Sequence, residues 1–447
     1  MKPSVVFAPA VLLLLAVTPA AGQISIPSTS EVLPNGLTVI LHEDHSVPVV
    51  SVNVWYHVGS GREKPGRTGF AHLFEHMLFQ GSEHVGDDQH FGYIQEAGGT
   101  LNGSTSNDRT NYYETVPSQF LEMALWLEAD RMGFLLPAMT QEKLDNQRDV
   151  VKNERRQRTD NQPYGRAFER IQTLLYPDGH PYSWPVIGSM EDLSAASLDD
   201  VAEFFRTYYV PNNASLVIVG DFDPEQTMTW VREYFGPIPA GDAIPTMEDV
   251  TAVLVDGKRD MMEDRVQLPR LYLAWHSPPM ATQGDAVFDI LSDILAGGKS
   301  SRLYKSLVYD RQIAQDVSAF QYSRKLSGAL IVTVTAKPDV TLSQIEEEVA
   351  KELRRLADEP PSARELERAQ NSIRANFIYG LQSTAGKADR INGYQFFWGD
   401  PGAIRKDLAR YEQVTAGDIQ QAVRRYIGDG RVVFSVVPEG REDLAAQ

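Results

Sequence analysis

The chain has 447 residues, a formal net charge of −18, 42% hydrophobic residues and no cysteine. The acidic balance argues against nucleic-acid binding, because phosphate contacts need a basic surface. The absence of cysteine excludes thiolate zinc sites, cysteine nucleophiles and disulfides. With about 150 residues per typical domain, the length predicts two or three folded units.

The N-terminus has the layout of a secretory signal peptide. Lys2 precedes an apolar stretch from Val5 to Val17, and the small residues 20–22 follow it. The apolar stretch is short for a membrane span, so we predict a signal peptide over residues 1–22. Cleavage would remove Lys2 and leave a mature chain of formal charge −19. We expect this mature chain to be periplasmic or secreted and not inserted in a membrane. An uncleaved membrane anchor is the alternative.

The next segments alternate between strand and helix signals. "EVLPNGLTVILHEDH" predicts a β-hairpin whose turn lies at residues 35–36, and another strand begins at Val47. A helix is predicted over residues 69–82, with Thr68 as its N-cap and Gly81 at its end.

A long helical region follows over residues 118–158. Pro137 should interrupt it, and Thr140 should restart it as an N-cap. A helix from Ser197 then leads into a buried strand, and residues 236–250 are rich in proline and glycine, which indicates a linker.

The order of elements recurs beyond the linker. The strand signal from Val266 is similar to that from Val47, and the helix and strand from Thr415 are similar to those from Ser197. We therefore predict an α+β fold of two similar domains, each a mostly antiparallel sheet covered by helices. The predicted units are an N-terminal domain over 28–238, which alone carries the pair His72 and His76, a linker over 239–250 and a homologous C-terminal domain over 251–441.

The predicted helix "GFAHLFEHMLFQGS" carries three polar residues in an apolar run. At about 100° per residue, His76 lies about 40° and Glu75 about −60° from His72, so the three side chains share one face. A catalytic zinc ion takes three protein ligands and leaves a position for water, so the imidazole pair needs another donor. The later long helix offers Glu154, with Gln147 seven residues earlier on nearly the same face.

Two motifs resemble those of a known family. "HLFEH" inverts the order of the commoner His-Glu-x-x-His zinc motif, and "VVKNE" places Glu154 78 positions after His76. The chain resembles the pitrilysin or insulinase family of zinc peptidases, in the short two-domain form of mitochondrial processing peptidase subunits and of bacterial periplasmic heterodimeric members. The resemblance extends over nearly the whole mature chain, including "GGTLNGSTSNDRTNYY" and "HPYSWPVIG".

The resemblance implies roles for the site residues. His72, His76 and Glu154 would bind Zn²⁺, and Glu75 would be the general base for a water whose pKa the zinc lowers. The alternative is that both histidines are hydrogen-bonded core residues. The family has glutamate at the position of Gln147, so we expect this amide to support the ligands without binding the metal.

The resemblance also indicates how a peptide would bind. In the family the substrate adds as a strand to a sheet edge, and Asn102 in "TLNGSTSNDRTNYY" would hydrogen-bond to it. The alternative is that this strand lies inside the sheet and that Asn102 belongs to a turn.

One part of the second half departs from the family pattern. The family has an arginine and a tyrosine that help to hold the substrate, whereas Val308 and Gln315 stand at these positions. Either Tyr309 and Arg311 replace them, or a partner subunit supplies the pair. We favour a homologous partner in a heterodimer, with a homodimer as the alternative.

Together these features predict a zinc-dependent endopeptidase that hydrolyses short or unfolded peptides. The competing interpretations are a non-catalytic structural subunit and a peptide-binding module of the same fold.

Overall fold

A computed structural model describes residues 24–247, 250 and 252–447. The predicted signal peptide lies outside these residues, and so does part of the predicted linker. Within the described ranges, no helix combines the length and the apolar character needed to cross a membrane.

Eleven strands of the described chain form two sheets. The strands of the first sheet are β1 Thr29–Val32, β2 Thr38–Glu43, β3 Val49–Tyr56, β4 Thr100–Thr105, β5 Thr110–Pro117 and β6 Ala214–Gly220. Those of the second sheet are β7 Lys258–Asp264, β8 Arg270–Ser277, β9 Ala314–Tyr322, β10 Gly328–Ala336 and β11 Val432–Pro438.

Fourteen α-helices of the described chain accompany the sheets. The first eight are α1 Phe70–Met77, α2 Gln89–Glu96, α3 Leu121–Ala138, α4 Gln141–Arg155, α5 Ala167–Leu175, α6 Met190–Ala195, α7 Leu198–Tyr208 and α8 Pro224–Tyr234. The other six are α9 Gln283–Ala296, α10 Leu342–Asp358, α11 Ala363–Gly380, α12 Thr384–Trp398, α13 Ile404–Glu412 and α14 Ala416–Tyr426.

Apart from β1, which has no counterpart among the described strands of the second sheet, the two sheets have the same arrangement of strands. Their orders are β1-β2-β6-β3-β5-β4 and β7-β11-β8-β10-β9. In each half, the last strand in the chain lies between two earlier strands of its sheet. Strand β6 is parallel to β2 and antiparallel to β3, and β11 is parallel to β7 and antiparallel to β8. The predicted α+β fold with two similar halves is therefore confirmed, while the predicted domain boundaries stay a prediction.

Several local predictions are also confirmed. β1 and β2 form an antiparallel hairpin, and Gly36 takes a φ of 89° in its turn, a conformation that glycine adopts without strain. The hydroxyl of Thr140 caps α4 by accepting a hydrogen bond from the Lys143 amide at 3.3 Å. Pro137 lies in the last turn of α3, which ends at Ala138.

Each half lends a helix to the sheet of the other half. Helix α5 places Ile171 in one core with Tyr272 and Val432 of the second sheet. Helix α12 places Ile391 in one core with Val217 of the first sheet. Because each sheet is covered on one face by its own half and on the other by its neighbour, the apolar faces of both sheets are buried only when the halves are together.

Candidate active site

Helix α1 begins differently from the prediction. Its N-cap is Gly69, with a φ of 86°, and no side chain caps it from that position. Thr68 was expected there, but its hydroxyl donates to Asp192 at 2.6 Å, so the N-cap prediction is wrong. The Glu63 carboxylate instead accepts hydrogen bonds from the amides of Gly69 at 3.0 Å and Ala71 at 2.8 Å. Burial raises the pKa of Glu63 to about 8, so two buried carboxyl oxygens, rather than a full negative charge, satisfy the first amides of α1 at neutral pH.

The rest of α1 is short. It ends at Met77, before the predicted stop at Gly81. Gly81 nevertheless takes a φ of 79° in the turn that follows. Leu73 and Phe74 are fully buried, so the apolar side of this short helix fixes the direction of its polar side.

The polar side of α1 meets the end of α4. The Oε2 atom of Glu154 lies 3.7 Å from Nε2 of His72 and 3.2 Å from Nε2 of His76. The two imidazole rings are nearly perpendicular, with centroids 4.8 Å apart. These three residues, here called the His–His–Glu group, are partly buried.

The donor atoms of this group suit a zinc ion. Zinc bonds of about 2.0–2.1 Å in a tetrahedral site place the donor atoms roughly 3.3 Å apart, and the two observed N–O separations are 3.2 and 3.7 Å. Burial and the neighbouring His76 lower the pKa of His72 to about 4, so its imidazole is neutral and free to donate a lone pair. Among the described atoms, Nδ1 of His72 is buried without a hydrogen-bond partner, whereas a histidine held in a core by hydrogen bonds would use this nitrogen.

Glu154 uses its two carboxylate oxygens differently. Oε2 faces the imidazoles, and Oε1 lies 2.6 Å from the guanidinium of Arg158. Arg158 belongs to a π-helical turn over Arg156–Asp160 that continues α4. The hydrogen bond with His76, together with the charge of Arg158, lowers the pKa of Glu154. The carboxylate is therefore ionised at neutral pH.

Glu75 lies between the His–His–Glu group and the edge of the first sheet. Its Oε2 accepts a hydrogen bond from the Thr105 hydroxyl at 2.6 Å. A Cβ atom added at Gly103 would lie 3.0 Å from Cγ and 3.1 Å from Oε1 of Glu75. Burial raises the pKa of Glu75, which brings this carboxyl closer to the range in which a general base works best.

Strand β4 is an edge strand, directly beside Glu75. It is last in the sheet order, and its one partner among the described strands is β5. The alternative of an interior strand is therefore wrong. Asn102 is exposed on β4, and its Oδ1 accepts a hydrogen bond from the Gly103 amide at 2.9 Å. Its contact with a substrate stays a prediction.

The second half carries the two possible replacements for the arginine and tyrosine pair, Tyr309 and Arg311. Val308 lies in a π-helical segment, Tyr304–Asp310, and Gln315 lies exposed on β9. Arg311 is held by Glu348 of α10 at 2.6 Å. The side chain of Tyr309 is 73% exposed. In the part of the chain that the structure describes, neither Tyr309 nor Arg311 has a hydrogen bond or ion pair with the His–His–Glu group.

Four residues that contact the site were missing from the sequence prediction: Glu63, Gly103, Thr105 and Arg158. Arg158 carried a usable signal, because it follows Glu154 by four helical positions. Glu63 and Thr105 lay in predicted loop and strand, where sequence spacing does not show which side chain reaches α1. Gln147 is buried on α4, seven residues before Glu154, and its role stays a prediction.

Comparison with known proteins identifies the family. The family model described as "Insulinase (Peptidase family M16)" matches residues 38–180, and that described as "Peptidase M16 inactive domain" matches residues 195–373. A protein named zinc protease PqqE from Helicobacter pylori is 31% identical over 374 residues, which are 82% of each chain.

Solved structures show the same architecture. A crystal structure of a protease from Helicobacter pylori has a TM-score of 0.87 and 26% identity, and covers 93% of this chain and 100% of its own. The first half of the periplasmic protease PqqL from Escherichia coli has a TM-score of 0.74 at 17% identity, with 93% of each chain covered, and shares the fold. From the sequence identity and coverage of its relatives, the chain belongs to the insulinase family, peptidase family M16.

Proposed function

We propose that this protein is a zinc-dependent endopeptidase that hydrolyses short or unfolded peptides bound as an added β-strand. The observation that carries the proposal is the meeting of two imidazole nitrogens and one carboxylate oxygen beside an open sheet edge, with Glu75 between them. Relatives named zinc proteases support the same chemistry.

His72, His76 and Glu154 would hold the zinc ion. When bound there, the ion supplies Lewis acidity and makes water a nucleophile at neutral pH. Glu75 accepts a proton from the attacking water and returns it to the departing amine. The Thr105 hydroxyl keeps the Glu75 carboxylate turned toward the site.

The substrate would lie along β4. Hydrogen bonds from the open edge of this strand recognise peptide backbone, so they accept many sequences but require an extended chain. Asn102, exposed on the same strand, would add a side-chain hydrogen bond. A folded protein cannot present such a strand, which is why we propose short or unfolded substrates.

The test is cleavage of a quenched, unstructured peptide, with the zinc content measured in parallel. Glu75→Gln should keep its zinc and lose at least about 100-fold in turnover, because general bases contribute about 10²–10⁴-fold. Glu154→Gln should lose zinc, and a chelator should stop cleavage until Zn²⁺ is returned. Glu83→Gln, a change at an exposed glutamate beyond α1, is the matched control. Full cleavage by Glu75→Gln, or full zinc content in Glu154→Gln, would exclude these roles.

We also propose that a homologous second subunit completes the site. The support is Val308 and Gln315 at the positions of the arginine and tyrosine pair, together with the ion pair that holds Arg311 away from the group. The chain alone should then cleave peptides weakly, and a companion chain that co-purifies from the native source should raise turnover. Full turnover by a monodisperse single chain would rule this out.

The competing function is a non-catalytic structural subunit or a peptide-binding module. Both would leave the peptide intact at every zinc concentration, so the same assay separates them from the peptidase. We further propose a periplasmic or secreted location after cleavage near Gly22. N-terminal sequencing of the exported protein tests it, and an N-terminus at Met1 would contradict it.

A further inference from the structure

The turn that follows β4 touches the second half of the chain. Residues 106–109, here called the first-half turn, connect β4 to β5, and residues 323–327, here called the second-half turn, connect β9 to β10. These two hairpins occupy corresponding places in the two sheets. Hydrogen bonds join the two turns to each other.

The carboxyl group of Asp108, in the first-half turn, makes the strongest of these contacts. Its Oδ2 accepts a hydrogen bond from the backbone amide of Lys325 in the second-half turn at 2.9 Å. Its Oδ1 accepts from the hydroxyl of Tyr182 at 2.5 Å, and this hydroxyl accepts from the amide of Leu326 at 3.0 Å. Both oxygens of Asp108 therefore hold the second-half turn, one directly and one through Tyr182.

Asn107 adds a weaker contact between the same two turns. Its side chain is 1% exposed, and its Oδ1 accepts from the hydroxyl of Tyr322 at 3.3 Å and from Nη1 of Arg324 at 3.5 Å. These distances are at the long end for a hydrogen bond. Asp108 is therefore the main link between the turns.

The second-half turn is itself fixed in place. The guanidinium of Arg324 is buried against the faces of three aromatic rings, whose centres lie 4.2–4.9 Å away, those of Tyr176, Tyr182 and Tyr322. Such contacts between a cation and ring faces stabilise the buried charge. The second-half turn can therefore serve as a firm support for the first-half turn.

The first-half turn begins directly beside the candidate active site. Thr105 is the last residue of β4, and its hydroxyl donates to Oε2 of Glu75 at 2.6 Å. Residues 100–104 lie farther from the turn and are held by their pairing with β5. A shift of the turn would therefore move the Thr105 hydroxyl more than the rest of the open edge.

We propose that Asp108 is a positioning residue for Glu75. By binding the second-half turn, Asp108 sets the place of Thr105 and, through the Thr105 hydroxyl, the orientation of the Glu75 carboxyl group. This inference rests on the proposed peptidase function, in which Glu75 is the general base. It gives the half without the proposed zinc ligands a part in the reaction, because small displacements of a reacting group lower the rate strongly.

The competing explanation is that the contact between the turns only stabilises the fold. Asn392 provides a contact of that kind for comparison. It is fully buried and joins the halves by donating to the backbone carbonyl of Asn53 at 2.9 Å. Its other side-chain partner is Ser215 of β6, so it bonds neither to β4 nor to the first-half turn.

The test is a double-mutant cycle on kcat for the quenched peptide. Asp108→Ala and Thr105→Val should each lower kcat about 10-fold, with KM and zinc content unchanged, because the ligands and residues 100–104 stay in place. The double variant should be no slower than either single variant, since without the Thr105 hydroxyl Asp108 has nothing to position. Asn392→Ala, the matched control, should lower the melting temperature and leave the kcat of the folded protein unchanged.

Two outcomes would overturn the proposal. One is a double variant about 100-fold slower than the wild type, the product of two independent losses. The other is an unchanged kcat in Asp108→Ala. If Asp108→Ala does not fold, Asp108→Asn replaces it in the cycle, because it keeps the size of the side chain and removes one acceptor oxygen.

A readout without turnover separates this inference from the peptidase proposal. If the wild type cleaves no peptide, the peptidase proposal fails, and crystal structures of the wild type and Asp108→Ala decide the role of Asp108. A Thr105 hydroxyl displaced from Glu75 in the variant is the expected result. An intact contact between Thr105 and Glu75 in the variant would exclude the positioning role.

Discussion

At the scale of single residues, Glu154 shows how a ligand is oriented. One carboxylate oxygen faces His72 and His76, and the other is taken by Arg158. A charge-assisted hydrogen bond to the second oxygen fixes the rotation of the carboxylate without removing its charge. Arg158 would therefore position Glu154 for the proposed metal ion without being a ligand itself.

Replacement of Arg158 tests this role. Arg158→Gln should weaken zinc binding about 10-fold, at the low end of the effects known for residues that orient ligands, because Arg158 is largely exposed. Arg156→Gln, in the same π-helical turn but bonded to Asn153, should leave the affinity unchanged. A competition titration with a chromogenic chelator measures both, and equal affinities for the two variants would exclude the positioning role.

At the scale of elements, the N-terminus of α1 depends on a residue outside the helix. The Glu63 carboxyl group accepts hydrogen bonds from the amides of Gly69 and Ala71, one on each oxygen, and burial raises its pKa to about 8. Glu63→Gln keeps the size but replaces one acceptor oxygen with an NH2 group that cannot accept, so one buried amide loses its partner and the free energy of unfolding should fall by about 1 kcal/mol. Denaturant titration measures the loss, with Glu96→Gln at an exposed site as the control. A variant as stable as the wild type would show that the second acceptor oxygen is not needed.

Strand β4 approaches Glu75 through a glycine. In Gly103→Ala the added methyl group would meet the Glu75 side chain at about 3 Å, so Glu75, the proposed general base, should turn away and turnover should fall more than stability does. Gly92→Ala is the control, because nothing lies within 4 Å of its added Cβ atom. Peptide cleavage and thermal melting are compared for both. Unchanged turnover in Gly103→Ala would show that the contact between Glu75 and this strand does not matter for cleavage.

At the scale of the whole molecule, the exchange of α5 and α12 couples the two halves. Asn392 of α12 is fully buried and donates to the backbone carbonyl of Asn53 in the first sheet at 2.9 Å. Tyr164, before α5, donates to the carbonyl of Leu268 in the second half at 2.8 Å. Neither half can bury both faces of its sheet alone, so the site is built on a scaffold that requires both.

A cavity in the exchanged helix should therefore destabilise the entire chain. Ile391→Ala removes a fully buried side chain packed on the first sheet and should lower the free energy of unfolding by about 2–5 kcal/mol. The whole chain should still melt in one transition, at a lower temperature. Ile378→Ala, at a 42% exposed position of α11, should have little effect. Separate melting of the second half at a lower temperature, with the first half unchanged, would contradict the coupling of the two halves.

Much of the candidate site could be predicted from the sequence. The shared face of His72, Glu75 and His76 follows from helical geometry over a few residues, so no distant contact can alter it. The repeated order of strand and helix signals predicted two similar halves, because each signal depends only on neighbouring residues. The relation of Glu154 to the histidines came from a family resemblance, since spacing alone does not bring two helices together.

The amino-acid sequence by itself determined the polar face of α1, the hairpin at Gly36, the cap at Thr140 and the two-fold pattern of the chain, because each depends on neighbouring residues. Only the tertiary structure decided that Asp192 takes the Thr68 hydroxyl and that α5 and α12 cross to the other half. These contacts join segments that lie far apart in the chain. One apolar pattern could be buried in many arrangements, so the packing of the whole molecule decides which of them forms.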